Sequence, residues 1–295
     1  MSLMLLSRGF AAAVLVVVCA AACGKPALPV PGKTRVVTLA PHLTELVCAA
    51  AGCEALVAVT AYSDFPPEIR ALPSVGDVAQ LNLEALLALQ PTQVIAWDGG
   101  TPAAQLDRLK TVKLPVTALR IERLDEVADA LVQLGNLLGT AAKAQAAADD
   151  YRRRLATLRS THAQAAPLRV LYQIETAPVY SINRVSPISE AITLCGGVNV
   201  FADLPTLAAP VTDEAVLAAR PQIVIHAPLD VQAVTAYWSR FAKAAQAMPT
   251  LIAIDPDLLA RAGPRQVQGV EQLCAALDAA RKPVHPAIAL APPGK

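Results

Sequence analysis

Residues 84–97 read EALLALQPTQVIAW, and residues 214–227 read EAVLAARPQIVIHA. In both stretches a glutamate opens an apolar segment with helical character, and a proline follows seven residues after the glutamate. The Val-Ile run beyond each proline predicts a buried strand, because β-branched residues favour extended backbone. The same pattern recurs 130 positions along the chain, which indicates an internal duplication.

Two further segments support the duplication. The strand-like residues 35–39 and 169–173 each lead into an apolar helical segment. The predicted N-caps of these helices are Thr44 and Ser189, and the predicted ends are Gly52 and Gly196. Alternating helices and buried strands predict an α/β fold with two Rossmann-like lobes, each built on a mainly parallel sheet.

A long helical segment separates the two repeats. Residues 140–163 are rich in alanine, lack proline and glycine, and carry charges on one face. They predict a single helix of about 35 Å, which forms a stiff spine rather than a flexible hinge. We therefore divide the chain into an N-terminal lobe (35–138), a connecting helix (139–165) and a C-terminal lobe (166–283).

The N-terminus has the features of an export signal. A positive Arg8 precedes an apolar run and three alanines, which is the order of a signal peptide in residues 1–23. Cys23 follows the alanines directly, so we expect lipidation there and a membrane anchor in the periplasm. The alternative is ordinary cleavage near Ala22, which leaves the protein unanchored. Residues 24–34 are proline-rich and predict a tether.

The composition excludes several classes of protein. Hydrophobic residues make up 54% of the chain and charged residues 17%, which is too apolar for a disordered protein. The net charge of +1 gives no basic surplus for a nucleic-acid partner. Beyond residues 9–23, the apolar runs are shorter than the ~20 residues of a membrane-spanning helix. Only the tail, residues 284–295, is expected to be disordered.

Export places the cysteines in an oxidising compartment, where disulfides are stable. Cys19 belongs to the signal, so four cysteines remain besides Cys23; they are Cys48, Cys53, Cys195 and Cys274. Four cysteines allow three pairings, and their spacing does not match a zinc motif. Cys48 and Cys53 can pair only if the helix that contains Cys48 ends near Gly52.

The sequence contains no catalytic motif with a recognisable spacing. Residues 27–34 match a relaxed phosphate-loop pattern, but a tether precedes them and a strand follows, so no helix N-terminus meets a phosphate. The chain also lacks a nucleophile elbow, a dinucleotide fingerprint and a His-Glu-x-x-His motif. We therefore predict no catalytic residues, no metal ligands, no cofactor and no enzymatic activity.

Four histidines remain as candidate polar groups. We expect His162, on the connecting helix, and His285, in the tail, to be solvated, and His226, at the end of a buried strand, to be structural. His42 follows the first strand, at the edge of the sheet where α/β folds bind ligands. Two interpretations of His42 stay open: contact with a ligand or metal, or a loop residue with no assigned task.

Five segments together resemble a known family. They are APHLTEL at 40–46, AYSDFPPEI at 61–69, LNLEALLALQPTQVIAW at 81–97, LCGGVNVF at 194–201 and DPDLLARAGPR at 255–265. They occur in the same order as in the periplasmic vitamin B12-binding proteins of bacterial ABC importers. The resemblance runs from about residue 35 to residue 280. It implies two lobes joined by a long helix, which agrees with the duplication.

The resemblance also implies roles for individual residues. The ligand-binding residues would be Tyr62, Trp97, Tyr180, Asp257 and Arg261. The disulfide of the family would join Cys195 to Cys274. Glu84 and Glu214 would dock onto arginines of a dimeric permease; otherwise they are first-turn acids that favour the helix dipole, with Asn82 and Thr212 as caps. The partners implied are a corrinoid and the permease dimer, and the protein would be a monomer.

The departures from the family leave the identity of the ligand open. Four positions that carry aromatic residues in reference members are aliphatic here: Val78, Ile174, Ala208 and Leu258. A corrinoid can still pack on aliphatic side chains, and cobalamin, another cobamide or cobinamide would each fit this description. Haem and ferric siderophores are the alternatives within the same architecture. An exported metal-assisted hydrolase is a remote alternative, because a hydrolase needs clustered ligands or a nucleophile with a base.

Overall fold

The computed structural model describes residues 34–77, 80–228, 231–241 and 248–282. Predictions for the signal, for Cys23, for residues 24–33 of the tether and for the tail lie outside these residues, as do Val78 and His285. In the described part, strands and helices alternate from β1 to α10. The predicted α/β class is therefore confirmed.

A parallel sheet of four strands forms the first lobe. The strands are β1 (Val36–Thr38), β2 (Leu56–Ala58), β3 (Gln93–Trp97) and β4 (Val116–Leu119), in the order β2–β1–β3–β4. Helices α1 (Pro41–Ala49), α2 (Leu83–Ala88) and α3 (Ala103–Thr111) lie between strands along the chain. All three strand pairs are parallel, as the crossover connections require.

Two packed helices leave the first lobe. They are α4 (Glu126–Leu138) and α5 (Ala141–His162), and α5 is the long helix that the sequence predicts, with 22 residues. Gly139 ends α4 in the left-handed region, at φ +73°. A Cβ atom on Gly135 would lie 2.2 Å from the Cβ of Ala144, so the two helices approach this closely only because Gly135 has no side chain.

The second lobe repeats the parallel sheet and adds a separate antiparallel pair of strands. Its parallel strands are β5 (Leu168–Tyr172), β7 (Gly197–Asn199), β9 (Ile223–His226) and β10 (Thr250–Ala253), in the order β10–β9–β5–β7. The antiparallel pair is β6 (Val179–Ile182) with β8 (Ala208–Val211). The helices are α6 (Pro187–Leu194), α7 (Asp213–Ala219), α8 (Val231–Ser239), α9 (Pro256–Leu259) and α10 (Gln266–Arg281).

The duplication extends to individual hydrogen bonds. Arg35 Nη2 donates to the carbonyl of Leu89 at 2.7 Å, at the end of α2. Arg169 Nε donates to the carbonyl of Ala219 at 3.0 Å, at the end of α7. Arg35 directly precedes β1, and Arg169 lies within β5. In each lobe the arginine thus satisfies a free carbonyl group at the end of a helix, α2 in the first lobe and α7 in the second.

Two predicted helix caps are wrong. Helices α1 and α6 begin at Pro41 and Pro187, so Thr44 and Ser189 lie inside them rather than at their starts. Proline favours the first position of a helix because its φ is already helical and its missing N–H is not needed there. The hydroxyl of Thr44 instead lies 2.6 Å from that of Thr38 on β1, which ties the helix to the strand.

Both pairs of cysteines form disulfides. Helix α1 ends at Ala49, shortly before Gly52, and Cys48 bonds to Cys53. The bond between Cys195 and Cys274, which the resemblance implied, joins the end of α6 to α10. Gly196 follows Cys195 with φ +75°, so the predicted helix end at this glycine is confirmed.

The prediction of a solvated His162 is wrong. Helix α10 covers this face of α5, so His162 is buried, with Nε2 3.0 Å from Asp278 Oδ2. Its Nδ1 lies 2.8 Å from the carbonyl of Leu158. His226 is buried at the end of β9 with Nδ1 2.8 Å from the carbonyl of Ala227, in agreement with a structural role.

One apolar core runs through both lobes and the connecting helix. It includes Val36 of β1, Leu131 of α4, Leu155 of α5, Val170 of β5 and Leu273 of α10. Because α5 packs into this shared core, it is held as part of both lobes rather than standing free. Within the described part of the chain, no helix is long and apolar enough to span a membrane.

Candidate functional site

A cavity of about 330 Å³ lies between the two lobes. The first lobe lines it with Trp97, Asp98, Ile121 and Glu122. The second lobe lines it with Ile182, Val185, Leu207, Ala208, Ala262 and Gln266, among others. The first-lobe residues lie at or just beyond the carboxyl ends of β3 and β4, the edge at which parallel α/β sheets bind ligands. The walls are mainly apolar, so the cavity suits a large apolar group.

Trp97 forms an aromatic wall of this cavity. It is the last residue of β3, and its ring packs on the backbone of Gly100, where an added Cβ atom would come within 1.9 Å of the indole. Its backbone N–H donates to Thr101 Oγ1 at 3.0 Å. The ring of His42 meets the indole edge to face, with 5.0 Å between ring centres. These contacts fix the orientation of the indole.

His42 supports Trp97 from inside the protein. It lies in the first turn of α1 and is buried, so it is not the loop residue that the sequence suggested. Burial lowers its pKa to about 4, and the positive charge of Arg261 contributes to the lowering. The imidazole is therefore neutral at pH 7. Its Nε2 has no hydrogen-bond partner among the described residues.

Gln266 is a buried polar residue among those that line the cavity. It is the first residue of α10, and only 1% of it is exposed. Its Nε2 donates to the carbonyl of Leu259 at 3.0 Å, which orients the side-chain amide. Its Oε1 has no partner among the described residues.

A buried ion cluster connects the lobes beside the cavity. Glu45 of α1, with 1% of its side chain exposed, accepts two hydrogen bonds from Arg265 of the second lobe, at 2.7 and 2.8 Å. Arg261 also reaches Glu45, at 3.2 Å. The guanidinium of Arg265 stacks on the ring of Phe65, 4.0 Å from its centre.

Arg261 is shared among three carboxylates. Besides Glu45, its guanidinium lies 2.8 Å from Asp64 of the first lobe and 2.9 Å from Asp257 of the second. Partial burial would raise the pKa of Asp64, but the hydrogen bond and charge of Arg261 outweigh it and hold that pKa below its usual value. Partial burial raises the pKa of Asp257, against the opposing charge of Arg261.

The predicted ligand-binding residues do not all meet at the cavity. Trp97 lines it, whereas Tyr62, Tyr180, Asp257 and Arg261 are not among the residues of its wall. Tyr62 is 79% exposed, has a left-handed backbone with φ +66°, and accepts a 3.5 Å contact from Arg261 through its carbonyl. Tyr180 is half-buried on β6. Arg261 therefore links Asp257 to the Tyr62 loop.

Neither the ion cluster nor the burial of Gln266 is predicted by the sequence. Glu45 and Arg265 both lie inside the segments that resemble the known family, but they are 220 positions apart in the chain. The available signal was a glutamate within the mainly apolar helix α1, because a buried charge requires a partner. For Gln266 the sequence offers no local signal, since only the packing of α9 and α10 buries it.

The two predicted docking glutamates occupy equivalent positions. Glu84 and Glu214 are exposed residues in the first turns of α2 and α7. The predicted caps are confirmed, because Asn82 and Thr212 each accept from the backbone N–H three residues on, at 3.0 and 3.2 Å. Among the described residues no group of three or more His, Cys, Asp or Glu side chains is arranged to hold a metal ion.

Comparison with known proteins identifies the family. Residues 36–259 match the family described as periplasmic binding protein. The chain belongs to the periplasmic binding protein family. This family locates the protein in the periplasm, and its members bind ligands for transport and are not enzymes, so the hydrolase alternative is set aside.

Curated relatives match over most of their length. A protein of Vibrio cholerae named vitamin B12-binding protein is 36% identical over 259 residues, which are 87% of this chain and 93% of the relative. A protein of the same name from Pectobacterium carotovorum is 34% identical over 83% of this chain and 88% of the relative.

Solved structures share the two-lobed fold. The periplasmic vitamin B12-binding protein BtuF of Vibrio cholerae matches with a TM-score of 0.75 and 34% identity, over 84% of this chain and 98% of that one. The apo periplasmic heme-binding protein RhuT of a Roseiflexus species matches with a TM-score of 0.73 and 26% identity, over 85% of this chain and all of that one.

Proposed function

We propose that this protein captures cobalamin or a related corrinoid between its lobes and delivers it to the permease of an ABC transporter. The observation that carries this proposal is the 36% identity to a vitamin B12-binding protein across 93% of that relative. The corrinoid would be transported cargo rather than a cofactor. The protein would bind it as a monomer.

The inter-lobe cavity suits part of such a ligand. Its volume of about 330 Å³ is smaller than a complete cobamide, so it would receive one edge of the corrin ring. Trp97 offers a flat apolar face that is already oriented, so binding costs little side-chain entropy. Ala208 lines the cavity at a position where reference family members carry an aromatic residue, and its small side chain leaves room beside the indole.

We propose that the remaining predicted contacts form the rim of this site. Tyr62 presents an exposed ring on a constrained backbone, a combination that occurs at ligand-binding loops. Tyr180 and Asp257 would contact the ligand from the second lobe. For Arg261 to reach a nucleotide phosphate, it would have to exchange one of its three carboxylates for that phosphate.

Tryptophan fluorescence tests the proposed location. The chain has two tryptophans, and Trp238 is buried in the second lobe with its Nε1–H donated to Gln173 Oε1. In the Trp238→Phe variant, cyanocobalamin should quench the remaining Trp97 emission in a saturable way. Trp97→Leu should weaken cyanocobalamin binding about tenfold or more by calorimetry, because an interfacial aromatic anchor is lost. Equal affinity of the two variants would contradict contact with Trp97.

Docking to the permease is proposed to use Glu84 and Glu214. Matched acids on equivalent helices of two lobes offer a two-point contact for a two-fold symmetric partner, and arginines there would form charge-assisted hydrogen bonds. Lysine at both positions should abolish corrinoid uptake by cells while leaving binding in solution unchanged. A control with the same change in charge, Glu54→Lys with Asp149→Lys, should keep uptake. Normal uptake by the first variant would exclude this docking role.

The proposed anchor is the lipidated Cys23, which follows a cleaved signal peptide in residues 1–23. Globomycin should cause the unprocessed precursor to accumulate, and Cys23→Ser should prevent lipid labelling. Normal processing of Cys23→Ser to the same soluble periplasmic species would contradict the anchor.

Haem is the second candidate ligand. A periplasmic heme-binding protein of Pseudomonas aeruginosa matches with a TM-score of 0.71 and 27% identity, beside the Roseiflexus protein. Those identities are lower than the 34% shared with BtuF. A Soret band that stays with the protein after mixing with hemin and desalting would favour haem, whereas retention of the pink colour of cobalamin would favour a corrinoid.

A further inference from the structure

A tight turn follows Trp97, the aromatic residue of the inter-lobe cavity. The carbonyl of Trp97 accepts the backbone N–H groups of Gly100 at 3.2 Å and of Thr101 at 2.8 Å. The backbone N–H of Asp98 donates to the carbonyl of Leu119 at 2.9 Å, which joins the turn to the end of β4. The chain therefore folds back on Trp97 directly after β3.

Two consecutive glycines in this turn are needed for different reasons. Gly99 has φ +94°, a conformation that suits the third residue of a type II turn and that other residues rarely adopt. A Cβ atom on Gly99 would meet no atom beyond its chain neighbours within 4 Å. Gly100 does not have a positive φ, so its backbone would accept alanine, but a Cβ atom there would meet the indole of Trp97.

The distances place Gly100 beneath the face of the indole. Its added Cβ atom would lie 1.9 Å from Cε3, 2.1 Å from Cδ2 and 2.5 Å from Cζ3, which are three consecutive atoms of the six-membered ring. An atom in the plane of the ring could not have these three distances, so the Cβ atom would stand over the ring. Carbon atoms that are not bonded pack about 3.5 Å apart or more, so alanine would drive the ring and the turn apart by more than about 1.5 Å.

The indole is open to the cavity, whereas Gly100 is behind it. Trp97 is half-buried and lines the cavity together with Ile121 and Ala208, and Gly100 is not among the residues of the wall. A side chain at position 100 would therefore affect a ligand through the ring and not by direct contact. Groups that bind a ligand have to be held within about 0.5 Å of their productive position, and the expected displacement is larger.

These observations assign a role to Gly100. On the premise that the ligand is a corrinoid held in this cavity, as proposed above, we infer that Gly100 is a positioning residue. By leaving the space beneath the indole empty of side chain, it holds Trp97 where the ring can contact the ligand.

A double-mutant cycle between positions 97 and 100 tests this role. Calorimetry with cyanocobalamin should give an affinity about tenfold or more lower for Gly100→Ala than for the wild-type protein. In the Trp97→Ala background, which has no ring above Gly100, the same substitution should change the affinity by less than about twofold, because the two residues act through one side chain. The control Gly135→Ala also introduces a close contact, 2.2 Å from the Cβ of Ala144 between α4 and α5, and should keep the wild-type affinity.

The position of the ring can also be measured without a ligand. In the Trp238→Phe background only Trp97 emits as a tryptophan, so Gly100→Ala should shift the emission maximum, whereas Gly135→Ala should not. If Gly100→Ala alone does not fold, circular dichroism should show that Trp97→Ala restores folding to it, because the clash is then gone. Failure of this double variant to fold would overturn the inference.

The remaining outcomes separate the inference from the proposed function. An equal loss of affinity from Gly100→Ala with and without the indole would overturn the inference, because Gly100 would then act independently of Trp97. Unchanged emission and unchanged affinity in Gly100→Ala would also overturn it. A wild-type protein that binds no corrinoid would instead overturn the proposed function, and the emission of Trp97 would still show whether Gly100 positions the ring.

Discussion

Replacing Glu45 by glutamine tests the ion cluster that connects the lobes. The substitution removes a carboxylate whose side chain is 1% exposed and which accepts from Arg265 at 2.7 and 2.8 Å and from Arg261 at 3.2 Å. Arg261 would keep Asp64 and Asp257 as partners. The main loss therefore falls on Arg265, which among the described residues would have no carboxylate within 4.0 Å, although the charges of Asp257 and Asp64 still act on it from further away.

The size of the effect follows from burial. Removing one member of a buried ion pair typically costs 3–5 kcal/mol, because the other charge stays buried without compensation. Arg265 keeps its stacking on Phe65 and has 16% of its side chain exposed, so we expect the lower end, about 3 kcal/mol of unfolding free energy.

Urea denaturation followed by circular dichroism measures this loss. The matched control is Glu271→Gln, which breaks a bidentate pair with Arg154 of similar geometry, at 2.8 Å for both hydrogen bonds. That pair is 41% and 31% exposed, so its loss should cost less than about 1 kcal/mol. Equal destabilisation by the two substitutions would refute the assignment of Glu45 as a buried link between the lobes.

Two further predictions concern stability. The pKa of His42 is lowered to about 4 in the folded protein, so between pH 6.5 and 4 the unfolded chain binds the proton and stability falls as the pH falls. When the pH is lowered from 7 to 5, the unfolding free energy of His42→Leu should therefore fall by about 2 kcal/mol less than that of the wild-type protein. The same pH dependence in both proteins would contradict a buried neutral imidazole. Opening the Cys195–Cys274 disulfide, with a sequence separation of 79, should cost about 4.5 kcal/mol, against about 2 kcal/mol for Cys48–Cys53 with a separation of 5. Thermal and urea unfolding of the two alanine double variants should give this order, and the reverse order would exclude loop entropy as the main contribution.

The fold could be predicted because the duplication is visible in short sequence patterns. Apolar helix, proline and β-branched strand recur at fixed spacing, and each pattern depends only on neighbouring residues. The two wrong caps show the limit of such patterns. Thr44 and Ser189 are residue types that favour the N-cap, but a proline lies three residues before Thr44 and two residues before Ser189, and proline favours the first position of a helix. Pro41 and Pro187 set the helix starts.

The site was only partly predictable. The family resemblance implied that Trp97 contacts the ligand, and Trp97 lines the cavity because it ends a parallel strand, at the edge of the sheet where such folds bind ligands. The family resemblance implied that Arg261 contacts the ligand. In the structure it pairs with three carboxylates, two from distant segments of the chain and one from four residues before it, and no local sequence pattern reveals the two distant pairs. The burial of Gln266 and His162 likewise depends on how distant helices pack.

Isothermal titration calorimetry of the purified protein with cyanocobalamin and with hemin tests the central claim most directly. We predict saturable binding of one cyanocobalamin per protein, and no displacement of cyanocobalamin by an equimolar amount of hemin. Tight binding of hemin together with no heat from cyanocobalamin, cobinamide or another cobamide would contradict corrinoid capture, while leaving the two-lobed fold unaffected.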